Sequence, residues 1–182
     1  MEKLILKYLR SPENYCGEVP AWLPAAGLCG YIAGYMGFFV YLRLGSSVFP
    51  GFFSFAALML LMIACETVFS ALVHIFLSLT GKKGNVSSVF YVSGLSCYLL
   101  TLALPIGLLS FVSQAAAGLS VLLLCLAMFI CRIKLIRKVY ADLSAGLAFL
   151  SMLIPGLLLQ SILYLSLVYG IVNGIWLVKM SV

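Results

Sequence analysis

Polar positions along this chain are sparse and bunched. Charged residues are missing between Arg43 and Glu66, between Lys83 and Arg132, and between Asp142 and Lys179. Each gap reaches the ~20 residues that a membrane-spanning helix needs, and the last two exceed it. The pattern predicts spans at about 21–42, 52–79, 89–109, 115–131 and 143–178. Trp22 marks one interface of the first span, and Tyr41 with Arg43 marks the other. "TGKKGN" turns the chain after the second span, and "SFVSQ" joins the third to the fourth without a charge. The last stretch is too long to cross a ~30 Å core as a straight helix. Pro155-Gly156 gives it a place to bend, so one long kinked helix is expected. Two short helices with a turn near Gln160 are the alternative, and would make six spans. The fold class is therefore all-α, a polytopic transmembrane helical bundle over 21–182 with five spans.

Composition agrees. Of 182 residues, 64% are hydrophobic and 9% charged, with a mean hydropathy of +1.20. A soluble domain of this size would be left with a greasy exterior. The pI of 9.1 then speaks of membrane orientation and anionic lipid, not of nucleic acid. Residues 1–20 read as an amphipathic cytoplasmic leader. Lys3, Lys7 and Arg10 share a face, Leu4, Ile5, Tyr8 and Leu9 supply apolar area, and "SPENYCGEVP" ends the helix. No small-residue cleavage site follows, so the first span is expected to stay as an anchor. The six cysteines contain no C-x-x-C pair. Most fall inside apolar spans and read as small hydrophobes, while Cys131 sits at a basic membrane edge where acylation is conceivable.

Two patterns stand out within the spans. Gly27, Gly30, Gly34 and Gly37 fall on one face of the first span and include a G-x-x-x-G. Small residues let helix backbones approach closely, so this face is expected to pack on a neighbouring helix. In the second span, Glu66, Ser70, His74 and Ser78 recur at every fourth position and draw one polar stripe along the helix. A carboxylate at mid-membrane must be neutralised or paired. Tyr98, Gln160, Tyr164 and Asn173 are candidate partners by type, and Ser70 stands between Glu66 and His74 as a bridge. The stripe is either a proton, cation or headgroup site or a polar seam between helices. The seam is preferred because no second acid converges on Glu66.

The residues offer no catalytic constellation. One histidine excludes H-E-x-x-H, and neither G-x-S-x-G nor a P-loop is present. No cofactor and no metal site are expected. With the N-terminus inside and five spans, the inside segments hold Lys3, Lys7, Arg10, Lys82, Lys83, Arg132, Lys134, Arg137 and Lys138, against Arg43 and Lys179 outside. The positive-inside rule selects this orientation. Lys3, Lys7, Arg10, Arg132, Lys134, Arg137 and Lys138 are the residues expected to meet anionic headgroups.

"RSPENYCGEV" before the first span, "ALVHIFLSLTGKKGNVSSVFYVSGLSCYLLTLALPIGLL" and "RKVYADLSAGLAFLSML" together resemble the Yip family, the Ypt/Rab-interacting-protein membrane domain. The absence of a "DLYGP"-like leader and of a long cytosolic N-terminus points to a bacterial-type member. The resemblance implies five spans with the N-terminus inside, and a bacterial cytoplasmic membrane, or an endomembrane in a eukaryote. The expected function is that of a non-enzymatic membrane protein organising lipids, a membrane protein partner or further copies of itself. A small transporter, channel or permease subunit using the polar stripe is the alternative. Reporter fusions after Lys83 and after Val182 test the orientation. The first should report cytoplasmic and the second the opposite side; two cytoplasmic signals would mean six spans.

Overall fold

The computed structural model describes residues 21–45, 52–140 and 142–180. The leader 1–20, with Lys3, Lys7 and Arg10, lies outside the described residues. The elements are α1 (Leu23–Gly45), α2 (Phe52–Leu79), α3 (Val86–Cys97), a 3-10 turn (Tyr98–Leu102), α4 (Ala103–Leu109), α5 (Gln114–Val139) and α6 (Ala145–Met180). Five helical segments are long and apolar enough to cross a membrane, with α3, the 3-10 turn and α4 forming one of them. The protein is an all-α bundle of the membrane type, and no strand occurs among the described residues.

The punctuation in the sequence sets the helix starts. Asn85 takes the N-cap of α3 and accepts from the Ser87 N–H, and Ser113 caps α5 by accepting from Ala116. Ser144 Oγ accepts from Leu147 in the first turn of α6. Between α2 and α3, Gly81 turns the chain at φ +79°, a conformation that suits glycine.

The expected single last helix is found: α6 runs without a break through Pro155 and past Gln160, so the alternative with a turn there falls away. Thr101 and Ser151 each stand four residues before a proline. Their hydroxyls donate to the carbonyls of Tyr98 and Ala148, one turn earlier. The fourth expected span is corrected: α5 does not end at Cys131 but continues to Val139. The apolar residues Ile133, Leu135, Ile136 and Val139 keep helical spacing past the first charge, and Leu135 and Ile136 are buried. Arg132 therefore belongs to the interior of a helix and not to a basic loop. The segments expected inside lose one of their nine basic residues, and the same orientation is still expected from the other eight.

The hub is α3, against which α1, α2 and α5 all pack, while α6 leans on α2 and α5. The glycine face of α1 meets α3 and the 3-10 turn. A Cβ on Gly30 would overlap the Gly94 carbonyl, and one on Gly34 would overlap the Cys97 carbonyl. At Gly27 it would lie 2.6 Å from the Tyr91 oxygen, and at Gly37 2.8 Å from the Thr101 Cα. Gly94 returns the contact against the Gly27 backbone, so both helices give up side chains to come together. Between the glycines, Tyr31, Tyr35 and Phe39 are buried, and the Tyr31 hydroxyl donates to the Phe90 carbonyl at 2.8 Å. Because backbone atoms cannot move aside, Gly34→Leu should cost at least the ~1–3 kcal/mol typical of overpacking. Ala25→Leu, on the exposed side of α1, should leave the melting temperature near wild type. Equal melting temperatures for the two variants in detergent would remove the seam.

Candidate functional site: a buried ion pair at the centre of the bundle

Glu66 stands midway along α2, and its partner is Arg132 of α5. Arg132 Nη2 donates to Glu66 Oε1 at 2.7 Å and Nη1 donates to Oε2 at 3.1 Å, a bidentate pairing. The side chains are 8% (Arg132) and 15% (Glu66) exposed. Arginine suits this place because its planar fork matches a carboxylate and keeps its charge when buried.

Two further helices complete the pair. The Tyr35 hydroxyl of α1 donates to Glu66 Oε1 at 3.2 Å. From α3, Ser96 Oγ accepts from Arg132 Nε at 2.8 Å and donates its own O–H to the Ser93 carbonyl. Cys97 Sγ accepts from Arg132 Nη2 at 3.2 Å. One network thus ties α1, α2, α3 and α5 in the apolar interior. Tyr35 and Cys97 also belong to one core cluster, with Tyr31, Phe39, Leu100, Ala103 and Leu124. The arrangement removes the cost that a lone mid-membrane charge would carry.

The rest of the expected stripe does not act as a unit. Ser70 is fully buried and its hydroxyl has no hydrogen-bond partner among the described residues. His74 pairs with another helix end: its Nδ1 lies 2.6 Å from the Tyr140 hydroxyl. Burial pushes the Tyr140 hydroxyl up to about 12, so it stays protonated at neutral pH and serves either tautomer of His74. The Tyr140 ring also packs on Gly84, where a Cβ would overlap it. Ser78 is exposed and bonds back to the Ile75 carbonyl. The partners considered for Glu66 lie elsewhere. Tyr98, Gln160 and Tyr164 are exposed, and Asn173 donates to the Tyr169 carbonyl of its own helix.

Of the basic residues expected at headgroups, Arg132 is the exception: it is buried in the ion pair and is corrected to an interior role. Lys134 and Arg137 are exposed on the last turns of α5, with Lys138 partly buried beside them. Arg137 Nε donates to the Leu143 carbonyl at 3.1 Å, and Lys82 Nζ donates to that of Asp142 at 2.8 Å. These contacts stitch the α2–α3 turn and the α5–α6 connection into one basic end. Among the described residues, no three His, Cys, Asp or Glu side chains gather as metal ligands. Compared with known protein families, curated proteins and solved structures, the chain matches none.

The Arg partner changes what substitution of Glu66 should do. For a neutral, hydrogen-bonded acid, Glu66→Gln would be silent. With Arg132 opposite, both Glu66→Gln and Glu66→Ala leave a buried guanidinium without its counter-charge. Breaking one side of a buried pair costs about 3–5 kcal/mol. Thermal melting of the purified variants should rank wild type well above Glu66→Gln, and Glu66→Gln at or above Glu66→Ala. A Gln variant as stable as wild type would show that the charge pairing contributes nothing.

Proposed function

We propose that this chain is a non-enzymatic integral membrane protein that organises anionic lipid, or a membrane protein partner, around a fixed helical bundle. One observation carries the reading. Glu66, Arg132 and His74, all inside the bundle, are each held by partners within the chain: Glu66 by Arg132 and Tyr35, Arg132 by Glu66, Ser96 and Cys97, and His74 by Tyr140. Side chains committed in this way serve as a seam and not as a mobile acid, base or relay. What the bundle offers outward is an apolar surface and one basic end.

That basic end supports a lipid-organising role. Lys82, Lys83, Lys134, Arg137 and Lys138 gather where the α2–α3 turn meets the end of α5. By the positive-inside rule this end faces the cytoplasm, where anionic headgroups lie. The Yip-like leader, turn and basic connection are consistent with the same reading, and with a bacterial cytoplasmic membrane. A transporter subunit is the second reading. It draws on the 3-10 turn that interrupts the third span directly after Cys97, since broken helices mark binding sites in some transporters. It would require the ion pair to part during a cycle.

Each basic residue near an anionic surface contributes about 1 kcal/mol, screened by salt. The triple variant K134Q/R137Q/K138Q should therefore co-purify several-fold less phosphatidylglycerol than wild type from mixed-lipid vesicles, with the difference shrinking at high salt. An unchanged lipid content would reduce these residues to topology signals and remove the support for a lipid role.

A further inference from the structure

The ion pair is not sealed on every side. A cleft of about 190 Å³ opens over it, with Tyr35, Glu66 and Arg132 as its polar floor and Met62, Phe69 and Leu159 as its apolar walls. The space is several times what one water molecule needs. Glu66 lies midway along α2, and Arg132 lies seven residues, roughly 10 Å at about 1.5 Å per residue, inside the end of α5. The Met62, Phe69 and Leu159 walls suit an apolar body entering from the bilayer.

The floor has defined chemistry left over. A guanidinium has five N–H donors. In Arg132, Nε gives its proton to Ser96, Nη2 gives to Glu66 Oε1 and Cys97, and Nη1 gives one to Glu66 Oε2. Among the described residues, the second N–H of Nη1 has no acceptor, and Glu66 Oε1 accepts from both Arg132 and Tyr35 whereas Oε2 accepts from Nη1 alone. The floor therefore presents one spare donor and one spare acceptor on adjacent atoms, within a pair whose net charge is zero. A carboxylate or phosphate would repel Glu66, and an amine would repel Arg132. A plain hydrocarbon would leave both spare positions unmet.

We infer that this cleft binds a neutral lipid carrying a free hydroxyl beside an ester carbonyl, of the acylglycerol class. The hydroxyl donates to Glu66 Oε2, the carbonyl accepts from Arg132 Nη1, and an acyl chain runs out past Met62, Phe69 and Leu159. No bond is made or broken. The inference rests on the reading of the ion pair as a closed seam, since a pair that opened would expose charge in place of this neutral floor.

The test uses the full chain in phosphatidylcholine nanodiscs with a photoactivatable diacylglycerol, and maps labelled peptides by mass spectrometry. Labelling should concentrate on the Met62–Phe69 segment of α2 and around Leu159. Dioctanoylglycerol should compete at least tenfold better than trioctanoylglycerol, which keeps the carbonyls but lacks the hydroxyl. Leu159→Trp, which fills the cleft without touching the pair, should cut labelling at least fivefold while the melting temperature holds. Equal competition by the two glycerides, stronger competition by octanoate, or labels spread evenly over the lipid-facing helices would each overturn the proposal. The competition arms use the wild-type protein, so they decide even where the Trp variant folds poorly. Melting of the Glu66 variants reports on the seam and this labelling reports on the cleft, so a failure of the cleft alone is told apart from a failure of the seam beneath it.

Discussion

The structure depends on one pairing of charges in a solvent that tolerates none alone. Glu66 and Arg132 each carry a cost at mid-membrane that only the other can remove. That mutual need fixes the register of α2 against α5. Ser96 and Cys97 then take up donors the carboxylate leaves over, which draws in α3, and Tyr35 brings in α1. Lipid supplies no hydrophobic force to press helices together, so packing and polar contacts carry the specificity. Four helices share this one polar knot.

The glycine face of α1 serves the same knot. Gly34 lies against the Cys97 carbonyl, and the next residue, Tyr35, reaches Glu66. A side chain at position 34 would lift α1 from α3 and carry the Tyr35 hydroxyl, already at 3.2 Å, out of hydrogen-bond range. Close backbone approach is thus what delivers the third member of the site. At the basic end a second, smaller contact repeats the logic. Tyr140 packs on Gly84 and pairs with His74, which holds the end of α5 to α2 where the chain leaves the membrane.

The helical bundle was legible in the sequence because its signal is collective: charge-free runs, the "TGKKGN" turn and the glycine spacing all survive small errors in boundaries. The site was legible only in half. Glu66 announced itself as an acid in an apolar run. Arg132 did not, because it stands first in a cluster of four basic residues and reads as the edge of a loop. One signal was available. A span from Ala115 to Cys131 falls short of the ~20 residues a crossing requires, and extending it to that length carries Arg132 inside. The i, i+4 stripe misled for a related reason. Regular spacing places residues on one face of a helix, but which neighbour each meets depends on tertiary packing that spacing does not encode. Glu66 and His74 share a face and serve different partners.

A double-mutant cycle on Glu66→Leu and Arg132→Met measures the central claim most directly. Each single change should be strongly destabilising, because it strands the opposite charge. The double change removes both charges and should recover much of the loss, giving a coupling of about 2 kcal/mol or more in reversible unfolding from detergent or bicelles. Effects that add to within ~0.5 kcal/mol would mean that the two side chains do not depend on each other, and the account of the bundle as built around their pairing would be wrong.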